Sequence, residues 1–324
     1  MDHRHDPDHR WRVGRRVVIR WLVAGAGQAG RCHIAAIDKT DGAVLAGIVD
    51  PGIIADASVP VYADLLAALT DAEADAIVIA APNDTQAGLV QMALDSGLPV
   101  LCEKPVGKTY VEAEALNAQA NELDVPLGVV LNQRAQIHSR WIQELIESGA
   151  LLPRTVTFTG DLAKLQGWHA DPARSGGGVL RTIGLHYIDL LLWWFGPPSD
   201  VQASLTGAHQ EDCIDVALGF SSGCRAQIKL DAVKERATGP VRCVIEGDGT
   251  TVELIGHSIT AVEGLPEPPQ PEPLDTDLFF GPGHLTVIAE ATAALENGLR
   301  FPLPVTEVFP ALAVVDEIYN KERR

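Results

Sequence analysis

Three groups of residues in this sequence have the types and spacing that chemistry requires. Gly25, Gly27 and Gly30 form G-x-G-x-x-G directly after an apolar run, and Asp50 closes a second apolar run twenty residues past Gly30. In that order a tight turn at Gly25, a close backbone approach at Gly27 and a helix–strand contact at Gly30 make a seat for a pyrophosphate. An acid at the end of the second run meets ribose hydroxyls. Gln28 and Ala29 lie within the turn, at the start of a helix whose unpaired N–H groups and macrodipole favour an anion. The second group is Lys104, held between Glu103 and Pro105. Its amine can hydrogen-bond a hydroxyl or carbonyl and stabilise a developing oxyanion, although spacing alone favours an exposed surface lysine. The third is His186 with Asp189, at i and i+3 on one face of a helix that is apolar nearly all round. Burying either without a partner is costly. His186 is therefore either a general base titrating near neutrality or a core histidine paired with Asp189.

These groups need elements to hold them. Val17, Val18, Ile19, Leu22 and Val23 make the mostly apolar run of a central parallel strand. AVLAGIVD, AIVIAAP (Ala76 to Pro82), Leu98 to Cys102 and Val125 to Leu131 read as further strands, with helical stretches between them, one of them capped by Thr109. Such alternation specifies right-handed crossovers and a parallel sheet. Ligands on a sheet of this kind lie at the carboxyl ends of its strands. That points to Gly25 to Gly30, to Ala81-Pro82-Asn83 and to Glu103-Lys104-Pro105.

Beyond residue 126 the pattern changes. Ile214, Val216, Leu218 and Phe220 alternate with other residues before the turn Ser221-Ser222-Gly223. Cys224, Ala226, Ile228 and Leu230 then alternate with Arg225, Gln227, Lys229 and Asp231. This is a hairpin in a sheet with one wet face. Val241 to Glu246 and Thr250 to Ile255 continue it, Pro266 to Pro273 is expected to be an exposed loop, and two helices, His284 to Asn297 and Thr306 to Asn320, close an α+β domain. The predicted organisation is a disordered basic tail at 1–16, a dinucleotide-binding domain at 17–126 and a substrate-binding and oligomerisation domain at 127–324.

Charge and cysteine usage exclude several classes. A net charge of -18 argues against a nucleic-acid partner, which needs clustered Lys and Arg. Five widely spaced cysteines without a C-x-x-C pair fit reduced thiols in a cytoplasmic protein, and no Cys/His cluster has zinc-ligand spacing. No apolar run is long enough to span a membrane, and the first twenty residues lack the apolar core of a signal peptide.

Taken together, G-A-G-Q-A-G, the terminal acid Asp50, A-P-N at 81–83, E-K-P at 103–105 and G-G-G-x-L-x-x-x-G-x-H-x-x-D at 176–189 resemble the glucose-fructose oxidoreductase / inositol dehydrogenase (Gfo/Idh/MocA) family. The resemblance implies an α/β Rossmann domain plus an α+β domain with a large, mainly antiparallel open sheet used for homodimer or homotetramer contacts. It also implies NAD(P)-dependent hydride transfer at a sugar or polyol hydroxyl. By that resemblance Lys104 and His186 flank the reacting carbon, and Glu103 joins Gly25, Gly27, Gln28, Ala29, Gly30, Asp50, Ala81, Pro82 and Asn83 as a cofactor residue. The carboxylate of Asp50 would repel a 2'-phosphate, so NAD is expected rather than NADP.

The sequence departs from the family at two positions. Thr182 stands where many members carry Asp, and Gln86 stands where many carry His. A hydroxyl cannot serve as a carboxylate base, so His186 would act alone or with Lys104. The stretch Gly167 to Gly177 also resembles UDP-N-acetylglucosamine-uronate 3-dehydrogenases, which brings Trp168 and Arg174 toward cofactor or substrate. Arg134, Trp168, Thr182 and Asp189 are the candidate substrate contacts, with Arg134 able to meet an anionic group or a surface ion pair. No metal is expected. Two other functions fit the same residues: an NAD-dependent glycosidase using transient oxidation, and a non-catalytic cofactor-binding regulator.

Overall fold

The computed structural model describes residues 18–52, 57–270 and 282–322. The basic stretch at 1–16 and the last three residues of the proline-rich run (271–273) lie outside them. The first half of the chain alternates strands and helices: β1 (Ile19–Ala24), α1 (Gln28–Lys39), β2 (Ala43–Val49), β3 (Val61–Tyr62), α2 (Leu65–Asp71), β4 (Ala76–Ile79), α3 (Asn83–Asp95), β5 (Val100–Glu103), α4 (Tyr110–Glu122) and β6 (Leu127–Val130). All six strands are parallel, in the order β3-β2-β1-β4-β5-β6. The order reverses between β1 and β4, which opens a crevice at their carboxyl ends where ligands of such sheets bind. β4, β5 and β6 are buried throughout, as strands covered by helices on both faces must be. The hydroxyl of Thr109 accepts from the N–H of Glu112 and caps α4 as its sequence suggests.

The second half contains α5 (Ile137–Glu147), β7 (Pro153–Ala163), a 3₁₀ turn at Gly167–Ala170, α6 (Pro172–Ser175), a π-helical turn at Leu180–Gly184, α7 (Leu185–Phe195), β8 (Pro198–Thr206), β9 (Cys213–Phe220), β10 (Arg225–Lys234), β11 (Arg242–Gly247), β12 (Thr250–Ile255), β13 (Ser258–Glu263), α8 (Gly283–Glu296) and α9 (Phe309–Glu322). The strands form one open sheet, β13-β12-β11-β7-β10-β9-β8, antiparallel except for β7 against β10. Ala226, Ile228 and Leu230 are buried in one apolar cluster with residues of α7 and α9 while Arg225 and Lys229 are exposed, the one-sided wetting that their alternation requires.

Two features differ from the sequence reading. β6 pairs with β5, so the first sheet runs through Val130 and a boundary at residue 126 cuts off its last strand. Helix α8 leaves the second sheet and lies across α1 and β1 instead. Val287, Ile288, Ala291 and Leu295 share a buried cluster with Ile19, Trp21, Val23 and Ile37, and the indole N–H of Trp21 donates to Thr292 Oγ1 at 3.1 Å. An apolar helix face does not reveal which of two apolar sheets it covers, and this one returns to the first.

Candidate active site

β1 ends at the glycine loop. Gly25 has φ +98°, and a Cβ on it would stand 2.5 Å from the carbonyl oxygen of Ala80. A Cβ on Gly30 would stand 1.8 Å from the carbonyl oxygen of Gly25, so only glycine lets α1 pack this closely on the turn. Around Gly27 a Cβ would meet nothing within 4 Å. Its missing side chain therefore leaves open space at the N-cap of α1, beside Gln28 and Ala29. Asp50, just past β2, folds onto this loop: Oδ2 accepts from the N–H of Ala26 at 2.8 Å and Oδ1 from the N–H of Gly52 at 2.7 Å. The acid and the glycines are thus one unit.

The next strand end ties the two halves together. Ala81 and Pro82 follow β4, and the buried Asn83 donates from Nδ2 to the carbonyl of Ser175 at 2.8 Å. Arg174 reaches Asp84 at 2.9 Å. Gln86, which departs from the family pattern, is fully buried; its Oε1 accepts from the N–H of Gly107 at 2.9 Å and its Nε2 donates to the Ala81 carbonyl. It braces the segment that carries Lys104.

At the end of β5, Glu103 and Lys104 meet groups from distant parts of the chain. Oε1 of Glu103 lies 2.9 Å from Nε2 of His33 on α1 and 3.2 Å from Nε2 of His284 on α8, and the two imidazoles sit edge to face, 4.9 Å apart. All three residues are buried. Burial alone would raise the Glu103 pKa, but the hydrogen bonds and charges of His284 and His33 outweigh it and hold the carboxyl well below the usual range. Burial draws the Lys104 pKa down, opposed by the charge of Glu103. Nζ of Lys104 donates to the main-chain carbonyl of Thr182 at 2.6 Å, so the lysine points across into the second half rather than into solvent.

Thr182 lies in the π-helical turn that leads into α7, a local widening often found at functional sites. Its hydroxyl donates to the carbonyl of Gly178 at 2.8 Å, which leaves its carbonyl as the group facing Lys104. The start of this turn is capped by a residue absent from the sequence reading. The buried Glu211 accepts from the N–H of Gly178 at 2.8 Å and of Leu180 at 3.2 Å, and Tyr319 donates to the same oxygen. A carboxylate at a helix N-terminus satisfies otherwise unpaired donors. Nothing in the local sequence marks Glu211, because it reaches the turn from the loop before β9.

His186 makes no hydrogen bond among the described residues. Burial and the charge of Lys104 hold its pKa well below that of free histidine, so it stands neutral at neutral pH. His169 shares this field: burial and the charge of Lys104 push it down to about 4, and its ring stacks on Trp168 with centroids 3.6 Å apart. Lys104, His186 and His169, with Trp168, thus gather where the β5 end faces α7.

Arg134 and Asp189 form a buried ion pair. Nε of Arg134 donates to Oδ2 of Asp189 at 2.8 Å and Nη2 to Oδ1 at 2.6 Å, both residues are buried, and Arg134 also reaches Glu307 at 2.8 Å. Each of these charges faces the other, and the partner of Asp189 is Arg134 rather than His186. The fold also assembles His33, Glu103 and His284 with their ligand atoms within 4.8 Å of one another, a grouping that sequence spacing could not show.

Comparison with known proteins agrees with this architecture. Residues 19–131 match the oxidoreductase family with an NAD-binding Rossmann fold, GFO_IDH_MocA, and residues 139–253 match the GFO/IDH/MocA C-terminal domain. The chain belongs to the GFO/IDH/MocA family. An uncharacterized oxidoreductase of Schizosaccharomyces pombe is 32% identical over 161 residues, 48% of this chain and 44% of that protein. The chain thus spans about half the length of the first curated family relatives it matches. The inositol 2-dehydrogenase of Rhizobium meliloti is 24% identical over 93% of this chain and 96% of that protein. Among solved family structures, the WlbA dehydrogenase of Bordetella pertussis in complex with NADH and UDP-GlcNAcA superposes with a TM-score of 0.78 at 22% identity, covering 95% of this chain and 96% of that one.

Proposed function

We propose that the protein is an NAD-dependent dehydrogenase or reductase acting on a secondary alcohol or ketone of a sugar, polyol or sugar derivative. The observation that carries this reading is the Lys104 bridge to the Thr182 carbonyl, which sets an ammonium beside the neutral imidazole of His186 at the carboxyl end of the first sheet. An imidazole that is neutral and uncommitted can accept the hydroxyl proton. An ammonium beside it stabilises the alkoxide-like oxygen left behind. NAD, when bound, supplies the hydride acceptor. The glycine loop and the N-terminus of α1 would seat its pyrophosphate and Asp50 its adenine-side ribose, with NAD preferred to NADP because a 2'-phosphate would meet the Asp50 carboxylate.

The substrate class is supported by relatives named inositol 2-dehydrogenase and levoglucosan dehydrogenase. Trp168 offers an aromatic face and His169 a neutral imidazole to such a ring. No helix among the described residues is long and apolar enough to cross a membrane, and the five cysteines are free thiols, which suits a cytoplasmic enzyme. The open face of the second sheet, with Thr155, Thr157, Thr159 and Lys229 on it, would carry homodimer or homotetramer contacts.

The test is absorbance at 340 nm with NAD against inositols, free sugars, sugar acids and UDP-sugars, run beside Lys104→Ala. A rise with one class that disappears in the variant supports the reading and identifies the class. Bond cleavage without net NADH would replace it with a glycosidase that returns its cofactor unchanged.

A further inference from the structure

The turn whose carbonyl meets Lys104 is braced from its far side by groups that take no part in the proton transfer described above. It follows three consecutive glycines, Gly176 to Gly178, which have no side chains with which to fix it. Two distant segments occupy the space this leaves. A Cβ on Gly178 would stand 2.1 Å from the main-chain carbonyl oxygen of Glu211, and one on Gly177 would stand 2.1 Å from the hydroxyl of Tyr319 on α9. Glu211 takes up the N–H groups that open the turn. Its main-chain carbonyl accepts from Val179 at 3.0 Å, and its Oε1 from Gly178 at 2.8 Å and Leu180 at 3.2 Å. Tyr319 donates its hydroxyl to the same Oε1, and its ring lies against the guanidinium of Arg181. Arg181 pairs with Asp316, one turn earlier on α9, and Asp316 accepts from the N–H of Tyr110 at the start of α4.

From this brace the path to the lysine is short. The carbonyl of Gly178 accepts from the N–H of Thr182 at 3.0 Å and from its hydroxyl at 2.8 Å, and the carbonyl of Thr182 accepts from Nζ of Lys104 at 2.6 Å. Each bond fixes the next peptide unit. We infer that Glu211 and Tyr319 are positioning residues for Lys104, which lock the turn so that the Thr182 carbonyl holds and aims the lysine's ammonium. The inference rests on the reading of Lys104 as the group that stabilises the reacting oxygen. The charged and titratable groups facing Lys104 are Glu103 on its own strand, His186 on α7 and His169 on the 3₁₀ turn. Glu211 acts on the lysine through the turn and not by its charge.

The experiment applies two readouts to the full chain of the parent, Tyr319→Phe, Glu211→Gln and Glu211→Ala. One is the pH dependence of NAD reduction with whichever of the inositols, free sugars, sugar acids and UDP-sugars turns over fastest. The other is competitive labelling of lysine amines with acetic anhydride from pH 6 to 11, read by peptide mass spectrometry, which follows Lys104 without turnover. Glu211→Ala removes the shared oxygen and should lower kcat by roughly 10- to 100-fold, the scale of a misplaced catalytic group. An ammonium that loses its acceptor gives up its proton at lower pH. The alkaline limb of the profile and the labelling midpoint of Lys104 should therefore both move down by roughly one pH unit. Tyr319→Phe keeps the carboxylate and the ring against Arg181, and should move both in the same direction by less. Glu211→Gln keeps an acceptor oxygen and should retain the parent's profile. NADH binding should be unchanged in all three. If Glu211→Ala does not fold, Tyr319→Phe carries the test.

A lowered melting temperature with kcat, the alkaline limb and the Lys104 midpoint all unchanged would show a merely structural cap and overturn the inference. So would a shift in Glu211→Gln as large as that in Glu211→Ala, since the charge of Glu211 would then be acting at a distance. A parent that reduces NAD with none of these substrates would instead remove the reading of the cleft on which the inference rests, and the labelling midpoint would still decide whether the turn holds the lysine.

Discussion

Nζ of Lys104 lies 2.6 Å from the carbonyl oxygen of Thr182, joining the end of β5 in the first sheet to the turn that launches α7 in the second half. The bond is to main chain, so the identity of the side chain at 182 does not decide whether the lysine is held. Thr182→Ala should accordingly leave kcat within a few-fold of the parent. It removes the hydroxyl bond to the Gly178 carbonyl, at a cost of about 1 kcal/mol in stability. Lys104→Ala should lower kcat by roughly 10²- to 10³-fold, the scale of losing one oxyanion donor, with NADH affinity nearly unchanged. Steady-state kinetics with NADH titration separates the two, and a collapse of turnover in Thr182→Ala would show that the hydroxyl takes part in the reaction.

The pH profile follows from Lys104 and His186. A base must be unprotonated, so activity is present above the pKa of His186 and lost below it, and that pKa sits well under 6.5. An ammonium must stay protonated, so activity is lost above the pKa of Lys104, which burial lowers from 10.5. In the oxidative direction kcat/KM should therefore stay flat through neutral and mildly acid pH and fall on the alkaline side earlier than an ordinary lysine would allow. An acid limb centred near 6.5 would mean that His186 is solvated like a free histidine.

Much of this was legible in the sequence because it is local. The glycine loop, the acid after β2, the strand ends and the β9–β10 hairpin are each specified by neighbours within a few residues. What was not legible joins distant segments. The i, i+3 spacing of His186 and Asp189 places them on one face but says nothing of the facing element, and there Arg134 claims the aspartate. His284 reaches Glu103, and Glu211 reaches the α7 entry, from loops and helices that carry no spacing signal. The place of α8 was not legible for a related reason: an apolar face needs cover, and only the assembled fold says whose.

The Arg134–Asp189 pair gives a stability test. Removing one partner leaves the other charge buried, so Arg134→Ala and Asp189→Ala should each lower the unfolding free energy by about 3–5 kcal/mol. The double replacement Arg134→Met with Asp189→Leu should recover much of that loss. Urea denaturation of the four proteins measures it. A raised KM in Arg134→Ala at undiminished stability would return the arginine to the substrate.

Two glycines of one loop should fail in different ways. A Cβ on Gly30 falls 1.8 Å from the Gly25 carbonyl oxygen, so Gly30→Ala must push α1 off the turn and should lower the melting temperature even without cofactor. At Gly27 a Cβ meets nothing within 4 Å, and the backbone there has ordinary negative φ. Gly27→Ala should thus fold like the parent or slightly better, since alanine restricts the unfolded chain. Its added methyl occupies the space through which a pyrophosphate would approach the N-terminus of α1. Thermal melts with and without NAD distinguish the cases: the parent should gain stability on adding NAD, and Gly27→Ala should gain little or none from the same starting point. If Gly27→Ala is stabilised by NAD as fully as the parent, the phosphate does not lie over this glycine, and the loop's open space serves some other contact.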